Sequence, residues 1–136
     1  PPRSTLFPYT TLFRSKQFTK GLLQLESEGA VQVFYNVNAF KREPILAVVG
    51  QLQFDVVQSR LQVEYNVPTV LERMPHTDLR WIGGPESAIE KLPDRPEAII
   101  ARDTRGKPVA LFNGSFFLRY YTEKQPDLKF TAFGKE

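Results

Sequence analysis

From Lys16 to Phe133 the apolar residues switch repeatedly between helical and strand spacing, in an order that nearly repeats itself, and few folds accommodate that rhythm. Phe18, Leu22 and Leu25 fall at i, i+4 and i+7, one face of a helix, which Gly29 stops after Glu26 and Glu28. Val31 to Val37 and Pro44 to Val49 read as strands, with Asn38 to Glu43 as the loop between them and Gly50 closing the second. Leu52 to Asn66 is then a helix. Phe54, Val57, Leu61 and Tyr65 share one face of it, and Leu52, Val56 and Val63 lie nearly opposite. A helix apolar on two sides is expected to be sandwiched between two buried surfaces. Thr69 to Met74, after Pro68, reads as a further strand.

The second half repeats the pattern. Leu79 to Ile82 is a strand, Gly83-Gly84-Pro85 a turn, and Glu86 to Leu92 a short helix. Ala98 to Arg102 and Val109 to Phe112 are strands joined across Asp103 to Gly106. Asn113-Gly114 could close a hairpin, but Phe117, Leu118 and Tyr121 are helically spaced, so a helix from Ser115 is expected, followed by a strand from Leu128 to Phe133. The halves thus read αββαβ and βαββαβ. The expected class is α+β: two ferredoxin-like split βαβ units packed together, residues 16–75 and 76–136, the first lacking its opening strand.

The place of that strand falls in TLFPYTTLFRS, Thr5 to Ser15. Read as codons, this stretch resembles a common short-read sequencing adapter translated in frame. It has neither the unbroken apolar core nor the small-residue cleavage site of a signal peptide. Residues 1–15 are therefore read as an artefactual scar and set aside from function. An inner strand slot left empty exposes unpaired N–H and C=O groups, so about Tyr9 to Phe13 is expected to drift into it. Pro8 disfavours an inner position, so imperfect pairing and marginal, aggregation-prone stability are expected.

Composition narrows function by exclusion. The chain has 136 residues, 41% hydrophobic and 24% charged, as a soluble globular protein does. No apolar run reaches the ~20 residues that span a membrane. With no cysteine there is neither a disulfide nor a thiolate metal site, which is compatible with the cytosol. The formal charge is +3, from 18 basic and 15 acidic residues; without Arg3 and Arg14 it falls to +1. Bulk charge therefore does not argue for nucleic acid, and only a local patch could.

No nucleotide or catalytic motif stands out. Gly106-Lys107 is followed by Pro108, not Ser or Thr, and Pro85 removes a donor from the Gly83-Gly84 turn. His76 is the sole histidine and reads as a solvated loop residue with no ligand partners and no positioned nucleophile. Trp81, Phe112, Phe116, Phe117, Tyr120 and Tyr121 lack the basic-aromatic pattern of RNA-recognition strands and read as core. Arg42, Arg102, Arg105, Arg119 and Lys124 read more often as solvated faces than as contacts, but they are the best-placed cations for contact with a partner surface.

Three blocks carry a family resemblance: KQFTKGLLQLESEGAVQVF (Lys16 to Phe34), VVGQLQFDVVQSRLQVEYNV (Val48 to Val67) and the Trp81 strand. Together with YYTEKQPDLKFTAF (Tyr120 to Phe133) they resemble the C-terminal domain of the bacterial peptide chain release factor 3 family, over about residues 16–136. The GQLQFDVVQSRL segment is more loosely similar to elongation-factor-G-like GTPases. The resemblance implies a piece of a cytoplasmic translational GTPase that docks on the ribosome, on its RNA and proteins, and drives off the class I release factor. GTP or GDP would sit in a separate N-terminal domain, against which this one packs; this chain would hold no cofactor, no catalytic residue and no membrane segment. The rivals are the equivalent domain of an elongation-factor-like or ribosomal-protection GTPase, and a stand-alone ferredoxin-like module for RNA or a small ligand.

Overall fold

The computed structural model describes residues 7–11, 16–37, 44–67 and 71–132. The elements are β1 (Phe7–Thr11), α1 (Lys16–Ser27), β2 (Gln32–Asn36), β3 (Pro44–Val48), α2 (Gln51–Tyr65), β4 (Leu71–Arg73), β5 (Asp78–Gly83), α3 (Glu86–Glu90), β6 (Ala98–Asp103), β7 (Pro108–Phe112), α4 (Ser115–Lys124) and β8 (Lys129–Thr131). They follow the expected order. Thr69, Val70 and Phe133, which the sequence reading assigned to strands, lie outside the described residues.

The eight strands among the described residues form one sheet in the order β4-β1-β3-β2-β6-β7-β5-β8. Read from either edge inward, each half runs fourth strand, first, third, second, the ferredoxin-like order. The halves meet at equivalent edges, where β2 pairs antiparallel with β6 and Tyr35 lies across from Arg102. An approximate two-fold axis therefore passes through this seam.

The opening strand of the first half is present. Phe7–Thr11 occupies the slot between β3 and β4, two residues earlier than the expected Tyr9 to Phe13; Leu12 and Phe13 lie outside the described residues. Pro8 stands opposite Ala47, and its carbonyl accepts from the Met74 N–H at 2.9 Å. A strand residue projects N–H and C=O to the same side, so the missing donor of Pro8 faces the flank where β4 has already ended at Arg73. No ladder bond to β3 is lost.

The sheet must curl. Six strand spacings separate β4 from β5, about 29 Å if flat. The chain from Arg73 to Asp78 can reach only about 17 Å. Curling brings Phe34 of β2 against Trp81 of β5, with ring centroids 5.8 Å apart and 64° between planes, although two strands lie between them. The result is a core on both faces. Val33, Leu46 and Val48 meet α1 and α2 residues Phe18, Leu22, Leu25, Val57 and Leu61. On the same face, Ile100, Ala110 and Phe112 meet Ile89 of α3 and Tyr121 of α4. The alternate residues Phe34, Ile45, Ala47, Ala101, Val109 and Leu111 line the concave side with Leu79, Trp81 and Met74. This is why all five residues of β3 are buried and its sequence, PILAV, is continuously apolar.

One expectation about α2 fails. Val57 and Leu61 are buried as read, but Leu52, Val56 and Val63 are 79%, 42% and 77% exposed. The helix packs on one side only. An apolar side chain on the surface carries no obligatory penalty, so pattern alone does not show that a second face is covered.

Close approach of the two helices depends on Gly21. A Cβ there would lie 2.9 Å from Leu61 Cδ2 and 3.0 Å from the Tyr65 ring. Arg60 clamps the same pair of helices: its Nε and Nη2 donate to Glu64 at 2.9 Å each, and the guanidinium also bonds Glu28. That hydrogen bond, with one from Gln24, holds the Glu28 carboxyl down at about 2. Replacing Gly21 by valine gains about 0.4 kcal/mol of helix propensity and overpacks the interface by about 1–3 kcal/mol. Urea unfolding of Gly21→Val should show a net loss; a variant as stable as its parent would mean the helices do not pack this closely.

Candidate functional site

The two-fold seam leaves an opening on the helical side. Strand register places Tyr35 and Arg102 side by side there, and the equivalent helices α1 and α3 flank them with Leu23 and Ile89. Together with Val37 and Asp103 these residues line a cleft of about 650 Å³. Burial, and secondarily the negative charge of Glu26, pushes the Tyr35 hydroxyl above its ordinary range, so it stays neutral and can only donate or accept a hydrogen bond. The Arg102 fork is already engaged: Nη1 donates to the Gly106 carbonyl at 2.9 Å and Nη2 to Glu86 at 2.7 Å.

Asp103 is equally committed. Its Oδ1 accepts from the Arg105 and Lys107 N–H groups at 2.9 and 2.8 Å, and its Oδ2 from the Trp81 indole at 3.1 Å. The carboxylate thereby shapes the β6–β7 turn, where Gly106 takes φ +87°, a left-handed conformation that favours glycine. Its acceptor sites serve structure, not acid–base chemistry.

His76 is not a solvated loop residue. It is 8% exposed, its Nε2–H donates to the Pro96 carbonyl at 2.8 Å, and its Nδ1 is buried with no partner among the described residues. The ring ties the β4–β5 connection to the loop before β6. No group of three or more His, Cys, Asp or Glu side chains among the described residues could hold a metal. No helix among them is long and apolar enough to cross a membrane.

Cationic and aromatic side chains are among those that remain accessible. Of the five expected contact cations, Arg42 lies outside the described residues and Arg102 is spent on Glu86 and Gly106. Arg105, Arg119 and Lys124 are exposed and form no ion pair among the described residues. β7 and β8 both pair antiparallel with β5 and so run parallel to each other. The α4 crossover between them therefore runs back toward the β6–β7 turn, which brings Lys124 and Arg105 to the same end of the sheet.

The aromatic expectation divides. Phe112 and Tyr121 are core, and Trp81 and Phe117 are half-buried. Phe116 and Tyr120 are not core: they are 60% and 46% exposed, and their rings stack at 6.4 Å with 21° between planes. Lys124 Nζ sits 5.7 Å from the Tyr120 ring centroid. The sequence did carry the distinction. Phe116, Tyr120 and Lys124 recur at i, i+4 and i+8 on one edge of α4, while Phe117 and Tyr121 form the adjacent edge that meets the core.

Comparison with known proteins gives the family. Residues 8–122 match the model for the class II release factor RF3, C-terminal domain, beginning within β1. A peptide chain release factor 3 of Acaryochloris marina is 48% identical over 117 residues, and one of Nostoc punctiforme is 44% identical over 119. One of Cyanothece sp. is 46% identical over 117 residues. These matches take in 86–88% of this chain but 22% of each relative, so the chain spans about a fifth of their length. The match runs from β1 through β7 and into α4, and the chain belongs to the RF3 C-terminal domain family, a family of translation termination.

Proposed function

We propose that this chain is the ribosome-docking part of a release factor 3, which promotes departure of the class I release factor at termination using GTP bound elsewhere in the full-length protein. The presentation of Arg105, Arg119 and Lys124, exposed and outside any ion pair among the described residues, carries the reading. Such cations cost the fold nothing to expose and are available to phosphates. The titratable side chains that might suggest chemistry are spent on structure: Asp103 on its turn, Arg102 on Glu86, His76 on Pro96. A rigid curled sheet, cored on both faces, suits a domain that transmits position better than one that turns over substrate.

A chimera tests this in a working factor. The corresponding part of the Acaryochloris marina relative is replaced by residues 16–136, preceded by that relative's own opening strand. Release of a labelled class I factor from terminated ribosomes is then followed with GTP. The chimera should act within about tenfold of its parent, and a version lacking the domain should not act. A folded chimera that hydrolyses GTP but leaves the class I factor bound would refute the reading.

A further inference from the structure

We propose that the exposed edge of α4 is a stacking platform for unpaired RNA bases, with Phe116 and Tyr120 receiving bases and Arg119 and Lys124 receiving the adjoining phosphates. The inference deepens the docking reading and rests on it, since a ribosome is a surface rich in RNA.

Three features favour a nucleobase over another occupant. The first is flatness. Phe116 and Tyr120 lie 21° from parallel with centroids 6.4 Å apart, so together they offer near-parallel ring faces rather than the alternating knobs and holes that a partner helix would need. The second is preorganisation. Phe116 meets Phe117 edge-on at 5.2 Å, and Tyr120 meets Tyr121 edge-on at 5.7 Å. Tyr121 is itself anchored in the core against Phe112 at 5.4 Å. The exposed rings are thus held in place before any ligand arrives, which lowers the entropy lost on binding. The third is charge. Arg119 and Lys124 flank the rings and form no ion pair among the described residues, and Lys124 already lies over the Tyr120 ring. Glu123 is the one acid of α4, against Arg119 and Lys124, leaving the helix a net charge of +1, enough for a phosphate or two but too little to hold duplex RNA by charge alone. Sequence-tolerant stacking with weak phosphate contacts is the expected mode.

The test is an anisotropy titration of the 136-residue chain with a labelled single-stranded oligoadenylate at low salt. Saturable binding is expected, with log K against log[salt] falling at a slope of about −1.4 for two phosphates on a single strand. Phe116→Ala and Tyr120→Ala should each weaken binding about tenfold. Phe116→Leu and Tyr120→Leu should be nearly as damaging, because leucine keeps the apolar contact but offers no ring face. Both side chains are exposed, so the four variants should keep the parent's circular dichroism and melting temperature. The proposal is overturned by leucine variants that bind as the parent does, by absence of binding at low salt, or by preference for duplex RNA or anionic vesicles over the single strand. Ribosome pelleting separates the two readings. Alanine variants that pellet like the parent would overturn the platform and leave docking intact. A parent that binds the oligonucleotide through these rings but never pellets would uphold the platform and overturn docking.

Discussion

Replacing Phe34 by alanine should cost about 3–5 kcal/mol, the range for a large aromatic removed from a packed interior. Phe34 is 1% exposed although it points away from all four helices, into the concave side of the sheet. A flat sheet would leave that face in water, and the substitution would then cost little. The readout can be local as well as global. Trp81 is the only tryptophan and meets Phe34 edge-on at 5.8 Å, so its fluorescence reports directly on the concave core. Urea unfolding should show the loss in stability, and the native emission of Phe34→Ala should shift to the red as water reaches the indole. A variant within about 0.5 kcal/mol of its parent, with unchanged emission, would mean that the sheet does not close on itself.

The second large effect separates the two sides of α2. Leu61 is fully buried against α1 and the first half of the sheet, so Leu61→Ala should cost about 2–5 kcal/mol. Val56, 42% exposed, should tolerate aspartate at a cost under about 1 kcal/mol, since the charge stays hydrated and only helix propensity is lost. Both are measured by chemical denaturation of the same chain. Equal, large losses would restore the sandwiched helix that the sequence suggested.

That contrast marks where sequence reading works and where it stops. Phe54, Val57, Leu61 and Tyr65 were legible as a packing face because helical period is a local property. Whether Leu52, Val56 and Val63 have anything to pack against is not local, and no spacing rule decides it. The same limit governs the sheet. The order of elements gave two ferredoxin-like plans, and the strand order bears them out. The edge-to-edge joining of β2 and β6, and the curl that follows, rest on a four-residue connection between β4 and β5, a constraint visible only once both strands are placed. His76 shows the point in one side chain: its neighbours in sequence look like a solvated loop, and its partner, the Pro96 carbonyl, is twenty residues away. At the candidate surface, Arg105, Arg119 and Lys124 are exposed. Arg102 was not separable from them, because its ion pair with Glu86 forms only when α3 folds back over β6. Phe116 and Tyr120 were assigned to the core by residue type, which outweighed their position on α4.

The central claim is that this chain docks through a few surface cations and holds no nucleotide chemistry of its own. Co-sedimentation of the 136-residue chain with bacterial ribosomes, across a salt series and with or without added GTP, tests it most directly. Retention is expected at low salt. It should fall as salt rises, with a slope of log K against log[salt] of about −2, as three phosphate contacts to unpaired RNA imply. Addition of GTP should leave the curve unchanged. Failure to sediment at low salt, retention indifferent to salt, or a shift of the curve on adding GTP would contradict the account.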